Sequence, residues 1–227
     1  MFSKFVDSPA LVRVVPFAIF LALTFLQERC GETGRYWIYF AKTIAGGAML
    51  LALFRHIAEL EWRFTWEAFV VGVLVFVMWV GLDEALARLG WPAYPKLKSS
   101  STAWNPNEVF GIGSPLTVFF VVMRIVGSTL VVPPLEEIFY RSFVYRFLAS
   151  KDFLSVPLGK FLPVPFLVTS VLFGFEHREW LAGILCGFAY QGLVMWKNRL
   201  GDAITAHGTT NFLLGLWVVW KGAWQFW

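Results

Sequence analysis

The sequence predicts an all-α fold, a polytopic bundle of transmembrane helices. Three observations predict it. Of the 227 residues, 58% are hydrophobic and 15% are charged, and the mean hydropathy is +0.63, outside the range of soluble domains. The apolar residues come in runs long enough for membrane helices, separated by short polar turns. The ten-residue alternating segments of a membrane barrel are missing from the pattern. The chain reads as a single integral-membrane domain over residues 1–227 with seven to eight membrane segments.

The remaining composition narrows the function classes. A formal charge of +4 fits loop Lys and Arg that set membrane topology, and does not call for nucleic acid as a partner. Twelve Trp and 24 Phe suit lipid contact and interfacial belts. Cys30 and Cys186 lie far apart, the second inside an apolar run, so no disulfide framework is expected.

The elements follow in order. Lys4 and the apolar run 14–26 resemble a signal peptide. The run ends in Gln27-Glu28-Arg29-Cys30 without a small-residue cleavage site, so residues 9–27 are read as the first membrane helix. The second spans about 36–54, with Lys42 near one end, where it can snorkel. A short charged turn, 55–63, leads to the third, about 66–82. Residues 83–114 form the one long extramembrane stretch. Its start, 82–89, puts Leu82, Ala85, Leu86 and Leu89 on one face and Asp83, Glu84 and Arg88 on the other, as in a short interfacial helix. Pro92, Pro95, the Ser99-Ser100-Ser101 run and Pro106 then predict irregular loop.

Residues 116–132 are apolar except for Arg124. Pro133-Pro134 follows, then Leu135-Glu136-Glu137-Ile138-Phe139-Tyr140-Arg141 and an apolar run to about 148. Two prolines remove two helix donors, so the region is one broken helix or two. The acidic pair is expected in the first turn after that break, at a positive dipole end. Arg141 shares a helix face with Glu137, while Glu136 points about 100° away. Carboxylates at this depth are costly unless they face protein or a wet cavity. Alone, the cluster fits a structural ion pair as well as a functional site.

A short apolar stretch, 161–175, ends in Phe173-Gly174-Phe175-Glu176-His177-Arg178. Segment 180–196 follows, then the turn Lys197-Asn198-Arg199 and a last segment, about 203–220. That segment holds His207-Gly208-Thr209-Thr210-Asn211. Phe173 and His177 are four apart, as are His207 and Asn211, so each pair shares a face. A carboxylate, two imidazoles and an amide are what peptide hydrolysis needs: a base for water, a partner for it, and donors for an oxyanion.

These three motifs in this order resemble the CAAX protease and bacteriocin-processing family, over about residues 116–220. The resemblance implies an all-helical intramembrane endopeptidase that acts on a membrane-anchored or membrane-adjacent protein through a glutamate-activated water, without a cofactor or metal. It implies Glu136 as general base, His177 as its partner at the water, and His207 with Asn211 as oxyanion stabilisers. Arg141 would orient the acidic pair through Glu137, and Phe173 would wall the site beneath His177. Ser142 stands where the family commonly has Gly, and Glu176 is an extra carboxylate beside His177.

Two rivals remain. Zinc would need ligands from Glu136, His177, His207 and Asn211, without an H-E-x-x-H pair. A membrane scaffold or immunity-type binding protein could keep the cluster for stability. For localisation, the expectation is a multi-pass protein of a prokaryotic inner membrane. Counting basic residues in the second half of the chain puts Arg146, Lys151, Lys160, Lys197 and Arg199 on one side and Arg178 and Lys221 on the other, which predicts that the first group is cytoplasmic.

Overall fold

The computed structural model describes residues 5–91, 95–97 and 103–227. Lys4, Pro92 and the Ser99-Ser100-Ser101 run, on which parts of the expectation above rest, lie outside these. The described residues form an all-helical bundle. Its apolar helices are α1 (Leu11–Gln27), α2 (Gly31–Leu53), α3 (Trp66–Arg88), α5 (Pro115–Phe147), α6 (Pro163–Phe175), α7 (Trp180–Lys197) and α8 (Gly201–Lys221), with a short α4 (Pro106–Phe110) before α5. Helices α2, α3 and α5 are long and apolar enough to cross a membrane, and α1 and α6 are shorter apolar helices. Their outward faces carry large exposed hydrophobic side chains such as Leu51, Leu74 and Val164, as lipid contact requires. The protein is an integral membrane protein.

The helix ends are set locally. Thr65 accepts from the Ala68 N–H to cap α3, Ser114 accepts from the Thr117 N–H to cap α5, and Asn105 caps α4 with Pro106 at its first position. Gly222, at φ +63°, ends α8.

Two expectations are corrected here. Residues 82–89 do not form a separate interfacial helix. Helix α3 runs on to Arg88 because Asp83, Glu84 and Arg88 extend it as an exposed last turn, with a Glu84–Arg88 pair at i,i+4. Residues 103–114 are not wholly irregular either. Trp104 is buried against Tyr36 and Tyr39, and α4 follows it.

The third correction matters most for the site. The Pro pair neither breaks α5 nor divides it in two, so the described residues hold seven apolar helices, the lower of the two expected counts. Two π-helical turns, Gly127–Val131 and Ile138–Val144, flank the short α-helical stretch Val132–Glu137. In the first, the Val132 N–H donates five residues back to Gly127 O. The wide turn moves the ladder past the prolines, and the helix continues. Glu136 and Glu137 therefore sit within a continuous helix and not at a fresh N-terminus.

Helices α6 and α7 pack as a tight hairpin. A Cβ on Gly174 would come within 2.7 Å of the Ile184 backbone N, so glycine lets the two backbones close up immediately behind His177. Opposite, Gly208 brings α8 onto the Thr129 carbonyl of α5, 3.0 Å from where its Cβ would be.

Candidate active site

Helices α5, α6 and α8 bring Glu136, His177, His207 and Asn211 to the wall of one cavity of about 310 Å³. Each residue reaches it for a local reason. The first π turn sets the register that turns Glu136 inward and Glu137 into the protein, where Glu137 is fully buried. His207 lies near the start of α8, which is buried almost all round from Gly201 to Gly208. His177 sits just past the end of α6, where its backbone N–H donates to Gly174 O at 3.0 Å.

His207 links the two carboxylates. Its Nδ1 lies 3.0 Å from Glu137 Oε1, and its Nε2 lies 3.8 Å from Glu136 Oε2. A carboxylate can only accept, so Nδ1 carries the proton. Nε2 is then bare in the neutral ring and is a donor only when the ring is doubly protonated. Tyr190 stacks on the imidazole at 5.0 Å between centroids and 20° between planes, and its hydroxyl donates to Thr210 Oγ1 at 2.8 Å.

His177 has the complementary arrangement. Its Nδ1 donates to Phe173 O at 2.9 Å, which leaves Nε2 as the acceptor in the neutral ring. The ring packs on Phe173 and Trp79, with centroids 5.0 Å and 5.3 Å away.

Arg141 is fully buried. Its Nε is 3.2 Å from Glu137 Oε2, close enough for an ion pair but not aligned as a hydrogen bond. The guanidinium rests on the Phe173 ring, 4.2 Å from its centroid. The Glu137–Arg141–Phe173 stack thus underlies both histidines.

Asn211 is already engaged. Its Nδ2 donates to Ser128 O at 2.8 Å. By the i→i−5 pattern of the π turn, the donor for Ser128 O would be residue 133, and Pro133 has no N–H. Asn211 supplies the missing hydrogen bond from across the helix interface. The second amide hydrogen and Oδ1 remain for the cavity.

Other cavity residues carried no sequence signal. Trp79 and Tyr190 were indistinguishable from the other aromatics of their apolar runs. Tyr140 is not itself in the cavity wall, but its hydroxyl pairs with the carboxylate of Glu176, which is. Lys42 and Arg124, read as a snorkelling lysine and a lone charge, also line the cavity. Among the described residues, no group of three or more His, Cys, Asp or Glu side chains is placed to hold a metal ion.

Residues 116–213 match the family model described as type II CAAX prenyl endopeptidase Rce1-like. That stretch of the chain, residues 116–213, is thus similar to a family of membrane proteases. No curated protein and no solved structure gave a match. The matched residues contain the whole acid–imidazole–amide set, whereas Trp79 and Lys42 come from helices outside the match.

Proposed function

We propose that the chain is a glutamate-type intramembrane endopeptidase that cleaves a membrane-anchored or membrane-adjacent protein without a metal or cofactor. The observation that carries this reading is the bridge Glu136···His207···Glu137 at the cavity wall. It separates a carboxylate that faces the cavity from one that holds an imidazole.

In this mechanism Glu136 takes a proton from water, and the bare Nε2 of His177 shares that work. The hydroxide adds to the scissile carbonyl. The tetrahedral oxyanion accepts hydrogen bonds from charged His207 Nε2 and from the free Asn211 N–H. Collapse of the intermediate breaks the C–N bond, and the proton held by Glu136 passes to the leaving amine. Glu137 keeps His207 protonated at Nδ1, and Arg141 holds Glu137 in place. Glu137 and Arg141 are positioning residues.

The test compares the termini of membrane proteins between cells with the parent enzyme and with Glu136→Gln. New termini that vanish in the variant support proteolysis. Identical termini, with the variant protein present at normal level, leave the scaffold reading standing. Activity of the purified enzyme should survive a strong chelator. Loss on chelation with recovery on adding Zn²⁺ would favour a metal centre instead.

A further inference from the structure

The mechanism above does not use Glu176, although Glu176 lines the same cavity as Glu136 and His177. It is the residue on which α6 ends, and it opens the polar turn 176–179 that leads into α7. Glu176 is exposed, whereas the Glu136 side chain is only 13% exposed. Glu176 therefore stands at the mouth of the cavity, one residue before His177. Tyr140, one turn beyond Glu136 on α5, aims it by pairing its hydroxyl with the carboxylate. The two acids are close enough for the charge of Glu176 to act on Glu136.

Its neighbours do not balance this carboxylate. Glu179, later in the same turn, pairs with Lys96, and Glu137 has Arg141 and His207. None of the ion pairs among the described residues includes Glu176. The charge of Arg141 reaches it, but that guanidinium is buried against Glu137 and Phe173. Three carboxylates, Glu136, Glu137 and Glu176, thus surround the histidines, and Arg141 with a doubly protonated His207 offsets two of them. The third leaves the mouth negative. A cleft lined by one sign of charge draws in the opposite sign and repels its own.

We propose that Glu176 selects substrates that carry a lysine or arginine within about three residues of the cleaved bond, the reach of a short extended segment from His177 to the mouth. This rests on the proteolytic reading above. The basic side chain donates a charge-assisted hydrogen bond to Glu176 while the peptide bond beside it lies between Glu136 and His177. An acidic side chain at the same position meets two carboxylates and is rejected.

The test uses N-acetylated peptides spanning the bond that the comparison of termini locates, with the enzyme in nanodiscs of zwitterionic lipid. Acetylation removes the α-amine, a second cation. Lysine, norleucine or glutamate replaces in turn each residue within about three of the bond. At one position or more, kcat/KM should be roughly 10-fold higher for lysine than for norleucine, the scale of a hydrogen bond to a charged group, and lower again for glutamate. Glu176→Gln should bring the lysine-to-norleucine ratio toward one, and Glu176→Lys should favour glutamate. Each ratio is taken on one enzyme sample, so partial loss of fold does not change it. Binding of the same peptides, fluorescently labelled, to Glu136→Gln and to Glu136→Gln/Glu176→Gln gives the ratio without turnover. Equal rates at every position overturn the proposal and leave the proteolytic reading standing. A lysine preference that survives Glu176→Gln belongs to another group and also overturns it. If the parent cleaves none of these peptides, the proteolytic reading falls and this proposal with it.

Discussion

Two demands fall on the single amide of Asn211. One N–H satisfies the carbonyl that Pro133 leaves without a donor, and the other is proposed to meet the oxyanion. Asn211→Ala should therefore lower turnover on the order of 10²-fold and also cost about 1–3 kcal/mol of stability for the unpaired Ser128 carbonyl. Pro133→Ala restores a backbone donor. In a double-mutant cycle it should shrink the stability cost of Asn211→Ala without rescuing turnover. Strictly additive stabilities would show that the amide does not serve that carbonyl. His177→Ala tests the other side of the site. It should lower turnover by at least ~10²-fold and cost some thermal stability, because the ring also packs on Phe173 and Trp79.

At the scale of the element, the turn between α2 and α3 acts as a clasp. Glu59 accepts from Arg13 of α1 at 2.6 Å, from Ser142 of α5 at 3.1 Å and from Arg146. Ser142 thus has a polar role in this chain, because it bridges Arg13 and Glu59. Burial pushes the Glu59 carboxyl up, but the charges of Arg13 and Arg146 outweigh it and hold its pKa below the ordinary value of 4.5. A carboxyl depressed in the folded state stabilises fully above its unfolded pKa and loses that contribution as pH falls through the folded one. Stability of the parent should hold at neutral pH and drop once pH falls below about 4.5. Glu59→Gln should be less stable at neutral pH and show a flatter acid limb. Thermal unfolding from pH 7 to 3 in detergent measures both, and parallel curves would remove Glu59 from this role.

At the scale of the molecule, the continuous α5 fixes which helix ends share a side. Arg13, Glu59 and Arg146 meet at one end of the bundle, and Lys197 pairs with Glu67 at 2.6 Å near that end. Leu97 donates to Arg178 O at 3.1 Å and Trp180 to Pro95 O at 2.7 Å at the other. The excess of basic residues predicts that the first end faces the cytoplasm. A cysteine replacing Asn198, in a Cys-free background, should stay unlabelled when intact cells meet an impermeant thiol reagent. Labelling would invert the orientation.

The sequence by itself determined the fold class and singled out the polar residues of the candidate site. Apolar runs of membrane length leave no alternative to helices, because backbone polar groups in lipid must be satisfied within the segment. Glu136, His177, His207 and Asn211 stood out because polar groups are rare and costly in such runs. Spacing of four residues placed each motif pair on one face. Tertiary structure decided the rest. Whether Pro133-Pro134 ends a helix depends on a π turn and on an amide from α8, and the two prolines carry no trace of either. Glu59 looked like one acid in a charged turn until Arg13 and Arg146, far away in the chain, were folded onto it. Lys42 and Arg124 looked unrelated because the cavity that joins them lies between helices. Local periodicity fixes which way a side chain points on its own helix, but packing of helices far apart in the chain decides what it points at.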